Sequence, residues 1–173
     1  MRLYKGDIPA EYGGRLSSLL DVRMKEGDNK QLSGSGGIGT ISSRLTLEGP
    51  VITDKTSFIV SGRRTYADLF LPLAKDEILR KSKLYFYDIN AKINQIVNDK
   101  NRIYLSGYYE RDAFKNQFTG MEFGNGILTL SWNHLFSARL FSNFALVYSK
   151  YSYQLGTPEG DAGSFQWTSH IND

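Results

Sequence analysis

At 173 residues the chain is long enough for a sizeable domain, and its lack of cysteine removes disulfide staples, thiol nucleophiles and thiolate metal sites together. Its 21 basic and 18 acidic residues leave a net charge of +3 with the two signs interspersed, so no nucleic-acid-binding stripe is drawn. Apolar residues make up 40% of the chain, but no run approaches the roughly 18 residues that a membrane-spanning helix requires.

In chain order, residues 16–25 alternate Leu20, Val22 and Met24 with Asp21, Arg23 and Lys25, which predicts a strand stopped by Glu26-Gly27-Asp28-Asn29. Residues 31–39 are rich in Ser and Gly. Residues 40–48 set Ile41, Ser43, Leu45 and Leu47 against Ser42, Arg44, Thr46 and Glu48, and Gly49-Pro50 is expected to end that strand. Residues 56–66 send Phe58, Val60 and Gly62 to one side and Ser57, Ser61, Arg63 and Thr65 to the other. A long connection over 67–83 follows, with a helical turn expected at 76–81.

The strongest pattern spans residues 84–109. Tyr85, Tyr87, Ile89, Ala91 and Ile93 oppose Asp88, Asn90, Lys92 and Asn94, and the return run repeats the alternation beyond Asn98-Asp99-Lys100-Asn101. Further strands are predicted at 126–134 and 139–153, joined by a tight Phe136-Ser137-Ala138 turn, with long loops at 113–123 and after Leu155. The fold class is therefore all-β, an antiparallel meander of about seven or eight long strands.

Strands of this length exceed the roughly 5–6 residues usual in soluble sheets and match the roughly 9–11 that a tilted strand needs to cross a bilayer. Eleven Tyr, ten Phe and two Trp, many of them near strand ends, suit the aromatic girdles of a membrane barrel. Alternation alone reads the same with the apolar side turned to a core, so a soluble carbohydrate-binding β-sandwich stays open beside the barrel. A small closed barrel acting as an adhesin is a third option.

The segment Asp7-Ile8-Pro9-Ala10-Glu11-Tyr12-Gly13-Gly14-Arg15-Leu16-Ser17-Ser18-Leu19-Leu20-Asp21-Val22-Arg23-Met24-Lys25 resembles the end of the plug domain of TonB-dependent outer-membrane receptors. The form it is similar to, common in Bacteroidetes, has a Pro-Ala-x-Tyr-Gly-Gly-Arg turn leading into the last plug strand. Ser33-Gly34-Ser35-Gly36-Gly37-Ile38-Gly39, the stretch from Ser42-Ser43-Arg44 to Gly49-Pro50, and Lys55-Thr56-Ser57-Phe58 onward to Arg63-Arg64-Thr65-Tyr66 resemble the first barrel strands of that group.

The resemblance implies residues 1–30 as the C-terminal end of a plug and 31–173 as the N-terminal strands of an incomplete piece of a barrel of about 22 strands. It also implies the cell outer membrane as location and a non-enzymatic transporter without a cofactor. The partners it implies are outer-membrane lipid, the TonB complex through a part absent from this chain, a surface lipoprotein, and a scarce nutrient such as an iron chelate, cobalamin, oligosaccharide or peptide. On this expectation the chain is an internal piece of a longer protein, because Met1-Arg2-Leu3-Tyr4-Lys5-Gly6-Asp7 contains no apolar signal stretch.

The candidate residues divide in the same way. Tyr12, Gly13, Gly14 and Arg15 are expected at a plug turn where backbone meets the wall. Arg44, Asp88, Lys92 and Glu110 are expected to face the barrel lumen, as water-exposed or paired side chains. Gly34, Gly36 and Gly39 fit a dinucleotide fingerprint, but strand periodicity follows where that motif needs a helix. His134 and His170 have no clustered ligands in the sequence, so no metal site is expected. Glu110 and Asp112 share a strand face in the manner of a glycosidase pair, for which salt-linking is the simpler account.

Overall fold

A computed structural model of the chain describes residues 2–9, 17–21, 23–157 and 165–172. Two short strands, β1 (Arg2–Tyr4) and β2 (Leu19–Asp21), pair with each other. The remaining strands form one antiparallel sheet in which each pairs with its chain neighbour. They are β3 (Ser33–Ile38), β4 (Ser42–Ile52), β5 (Thr56–Thr65), β6 (Lys83–Asn98), β7 (Asn101–Lys115), β8 (Gly120–Ser137), β9 (Leu140–Gly156) and β10 (Gln166–Asn172). The sheet is an open meander, with β3 and β10 as unpaired edges.

Local chemistry explains the tight reversals. At the β6–β7 hairpin the Asn98 side-chain carbonyl accepts the Lys100 N–H at 3.0 Å and the Asn101 side-chain amide at 2.9 Å, an Asx turn that substitutes for ladder bonds. At the opposite end the Asn116 carboxamide accepts the N–H groups of Phe118 and Thr119, each at 2.8 Å. Between β5 and β6 lie two single-turn 3₁₀ segments, Ala67–Leu69 and Leu71–Leu73, and then α1 (Glu77–Arg80). The Asp76 carboxylate caps α1 through the Ile78 and Leu79 N–H groups, so the expected helical turn forms.

Four expectations about segments are corrected. Only Leu19–Asp21 of the strand expected over 16–25 is a strand among the described residues; residues 23–28 run as irregular chain, with Lys25 paired to Glu48 and the Met24 carbonyl taken by Lys92, and Asp28 then forms a turn by accepting the Lys30 and Gln31 N–H groups at 2.7 and 3.1 Å. β4 does not stop at Gly49-Pro50. It continues to Ile52, and a register slip between Pro50 and Ile52 absorbs the proline's missing donor. The long loop expected over 113–123 is ladder for most of its length, since β7 and β8 stay paired from Lys115↔Gly120 downward. The tail after Leu155 supplies β10, which pairs with β9 from Gln166↔Gly156 to Asn172↔Lys150.

Burial across the sheet is the reverse of a soluble core. Ala113 is the one buried apolar side chain among the described residues, whereas Thr56, Ser57, Thr65, Ser82 and Asn94 are buried. Register aligns Phe58, Ile93, Leu105, Leu130 and Leu146 in one row across five strands. Ile93 is 44% exposed and Leu146 60%, so the apolar face is the uncovered one. No second sheet stacks on it among the described residues, and a two-layer sandwich is not formed. The division is sharpest on β4–β7, while the opposite face of β8–β10 also carries Ile127, Val147, Tyr151 and Ile171.

Amide hydrogen exchange should follow this topology. Central amides of β6, β7 and β8, bonded on both sides, are expected to exchange slowest, and outward-facing amides of β3 and β10 fastest, by NMR or mass spectrometry.

Candidate functional site

The polar face is organised by register. Arg44, Arg63, Asp88, Glu110 and Asn125 are successive cross-strand neighbours from β4 to β8, so three of the four candidate lumen residues fall in one row. Arg63 Nε donates to Asp88 Oδ2 at 2.7 Å, and its guanidinium carbon lies 5.1 Å from the Phe86 ring centre. The Tyr108 hydroxyl donates to the Glu110 carboxylate. Lys92, the fourth candidate, sits on the same face two rows away with its ammonium 4.9 Å from the Tyr104 ring centre.

The chain that precedes β3 is seated on this face. Lys25 Nζ meets Glu48 Oε1 at 2.6 Å, and Lys92 Nζ donates to the Met24 carbonyl at 3.4 Å and faces Glu26 Oε1 at 3.8 Å. The Glu48 and Lys92 side chains are only 14% and 13% exposed, so these pairs are partly screened from water and outrank open surface ion pairs. The Asp54 N–H donates to the Asn29 carbonyl at 3.0 Å. Gly27 presses against the β5 backbone so closely that a Cβ there would run into the Phe58 carbonyl. Beneath lie Ser57 and Asn94, register partners whose Oγ and Oδ1 are buried without a hydrogen-bond partner. The Lys30 amide, and then that of Gln31, hold the Asp28 carboxyl below its usual range, which favours the charged cap of this segment.

Toward the end bearing the 66–82 connection, the polar face changes character. Phe86, Asp112, Phe123 and Tyr153 form a register row. Phe123 and Tyr153 stack with centres 6.3 Å apart, and Trp167 meets Tyr153 edge-on at 5.9 Å. Sequence reasoning missed this ladder because it assigned 113–123 and the tail to loops. The signal was available in the alternation of Phe123 with Glu122 and Gly124. Arg63 was read as a polar-face residue but not as the partner of Asp88, since pairing depends on register that one strand does not specify.

Tyr12, Gly13, Gly14 and Arg15 lie outside the described residues. Glu110 and Asp112 do share a face, and the Glu110 carboxylate is engaged by Tyr108. Gly34 and Gly36 lie in strand β3, and the chain continues into strand β4 rather than a helix. His134 sits between Trp132 and Phe136, with Nδ1 2.7 Å from Asn101 Oδ1. Comparison with protein-family models, with curated proteins and with solved structures yields no match for this chain.

Replacing Gly27 by Val should detach residues 24–31 from β5, because its side chain occupies the place of the Phe58 carbonyl. Limited proteolysis should then cut after Lys25 or Lys30 many times faster than in the parent chain, with the β6–β8 ladder still protected.

Proposed function

We propose that this chain is the junction of plug and wall in a TonB-dependent outer-membrane transporter: the last plug residues followed by eight strands of the barrel. The observation that carries the reading is the inverted burial, apolar side chains uncovered on one face and polar side chains enclosed on the other by the segment that precedes the sheet. A sheet in water gains nothing by leaving its aliphatic face bare, whereas a sheet against hydrocarbon must do so. Tyr85, Tyr87 and Tyr109 lie at one limit of the apolar band, and Trp132, Phe136 and Phe144 at the other. The two limits, Tyr87↔Arg111 and Ile103↔Trp132, are about 27 Å apart along β7 at about 3.4 Å per residue. With a tilt of about 40° this becomes about 20 Å of bilayer depth, near the height of a barrel's apolar belt.

In this reading the division of labour is physical. Backbone polarity is satisfied strand to strand, lipid contacts the Leu-rich band, and the Arg44–Glu110 row and the aromatic ladder line the aqueous passage. The plug end is held to the wall by Lys25–Glu48 and by Lys92 with Met24 and Glu26. Energy from the TonB complex would act on the rest of the plug, and the unidentified nutrient would pass along the polar face. A second reading, a soluble carbohydrate-binding module, draws on the Phe123–Tyr153–Trp167 ladder beside Asp112, since stacked rings and carboxylates are what sugar faces and hydroxyls use.

The two tryptophans separate the readings because they lie on opposite faces, Trp132 in the apolar band and Trp167 in the ladder. In phosphatidylcholine vesicles carrying brominated acyl chains, the Trp167→Phe variant is expected to lose most of its Trp132 emission, and the Trp132→Phe variant to keep its Trp167 emission. Equal behaviour of both, or a spectral shift only on adding oligosaccharide to detergent-free protein, sinks the transporter reading. Charge placement gives a second check. Leu130→Arg, in the middle of the band, should cost about 2–4 kcal/mol of folding stability in vesicles, against well under 1 kcal/mol for Thr129→Arg on the other face, by urea titration.

A further inference from the structure

The polar face carries one carboxylate that its neighbours leave unmatched. Asp88 is taken by Arg63 Nε at 2.7 Å, and the Glu110 carboxylate accepts from the Tyr108 hydroxyl. Asp112, two residues beyond Glu110 on β7, makes no hydrogen bond or ion pair with any described residue. Register sets it between Phe86 on β6 and Phe123 on β8, each one strand spacing of about 4.8 Å away. Phe114, two residues farther along β7, stands on the same face. Asp112 therefore has ring-bearing neighbours on three sides and Glu110 on the fourth.

An aromatic ring presents negative charge density on its faces, so phenylalanines around an ionised carboxylate do little for the anion and much for a cation placed beside it. The same face already uses this attraction. The Arg63 guanidinium carbon lies 5.1 Å from the Phe86 ring centre, and Lys92 Nζ lies 4.9 Å from that of Tyr104. Arg63 is committed to Asp88, however, and no Lys or Arg of β5–β10 shares the polar face at the level of Asp112 or nearer the long connections. A metal ion fits poorly, since among the described residues no three His, Asp or Glu side chains gather as ligands. A neutral polyol could stack on Phe123 and Tyr153 but would leave Asp112 desolvated without a countercharge. A primary ammonium group uses both parts, its charge meeting the carboxylate and its flanks meeting the ring faces.

We propose that Asp112 with Phe86, Phe114 and Phe123 forms a niche for a primary ammonium group, carried by the solute that moves along the polar face. The inference rests on the reading of this face as an aqueous passage and names a ligand class for it, amines over neutral solutes. The stacked pair of Phe123 and Tyr153, with centres 6.3 Å apart, extends the aromatic platform away from the charge, so the rest of the ligand lies toward β9 and β10.

The test uses the full chain in nonionic detergent micelles at about 0.15 M salt, where loosely held counterions are screened. Ligand-observed NMR titrations compare two amine carriers, acetyl-Gly-Lys-Gly-amide and glucosamine, each with its N-acetylated form. The expected result is that the amine binds about tenfold more tightly than its N-acetyl form in at least one pair, from one charge pair and one ring contact together, and the responding pair identifies the carrier. Asp112→Asn should abolish that preference and Asp112→Glu retain it, while Phe123→Leu should weaken amine binding about threefold. Glu122→Gln, which removes a carboxylate from the opposite face of β8, should leave it unchanged. Equal binding of amine and N-acetyl forms in both pairs by the parent chain overturns the proposal even if no variant folds. So does an amine preference that survives Asp112→Asn, which would place the attraction elsewhere on the surface. Trp132 quenching in brominated vesicles, followed on the same protein, separates the failures: lost quenching removes the transport reading, whereas retained quenching without amine preference removes only the ammonium niche.

Discussion

The structure depends on one constraint, that every strand must hand its backbone donors and acceptors to both neighbours while its side chains alternate between two unlike surroundings. Hydrogen bonding fixes strand-to-strand spacing and register, and register then fixes which side chains share a row. The Leu-rich row on one side and the Arg44–Glu110 row on the other are therefore the same fact seen from two faces. A one-residue slip at the β5–β6 ladder would turn every strand on one side of it over, putting Asp88 on the face opposite Arg63 and Ile93 on the face opposite Phe58. The irregularities are confined to the turn end, at Pro50/Ile52, Ile96/Asn98 and Leu135/Ser137, where an extra residue reverses no face of the working surface.

The segment seated on the polar face is held there by polar contacts among the described residues. Two ion pairs, one carbonyl contact and one backbone hydrogen bond hold residues 24–29, and the absence of a side chain at Gly27 brings the main chain down onto β5. Such an attachment is strong enough to cover Ser57 and Asn94. It is built from polar contacts that water can replace, unlike the hydrocarbon packing of an ordinary core, so attachment and release differ by a modest free energy.

Much of the architecture could be read from the sequence because the period-2 signal in β4–β7 is strong and uninterrupted. The hairpin over 84–109, the strands from Ser42 and Thr56 and the helical turn at 76–81 all formed where alternation, Asx chemistry and capping agreed. The misses came from treating turn-forming residues as stops. Gly49-Pro50 read as a stop and Gly120 as loop, yet a ladder tolerates glycine wherever a neighbour's side chain fills the space, as Ser152 does beside Gly124. Partners were less legible than faces. That Arg63 meets Asp88, or that Lys83 meets Lys115, depends on the length of the 66–82 connection and of the 99–100 hairpin turn, which periodicity does not encode.

The strands are unequal in a way that shapes the assembly. β8 has 18 residues and β9 has 17, against 11 and 10 in β4 and β5, and register divides the excess between both ends: Thr56 at the start of β5 lies level with Trp132 and Phe144, and Arg64 near its end lies level with Gly124. At the long-connection end about four residues of β8, about 14 Å before tilt, rise past the level of Arg64 as a one-sided parapet. The stacked rings of Phe123 and Tyr153, with Trp167 just beyond them, stand at the foot of that parapet, so the step in strand length gives the polar face an aromatic sill on one side.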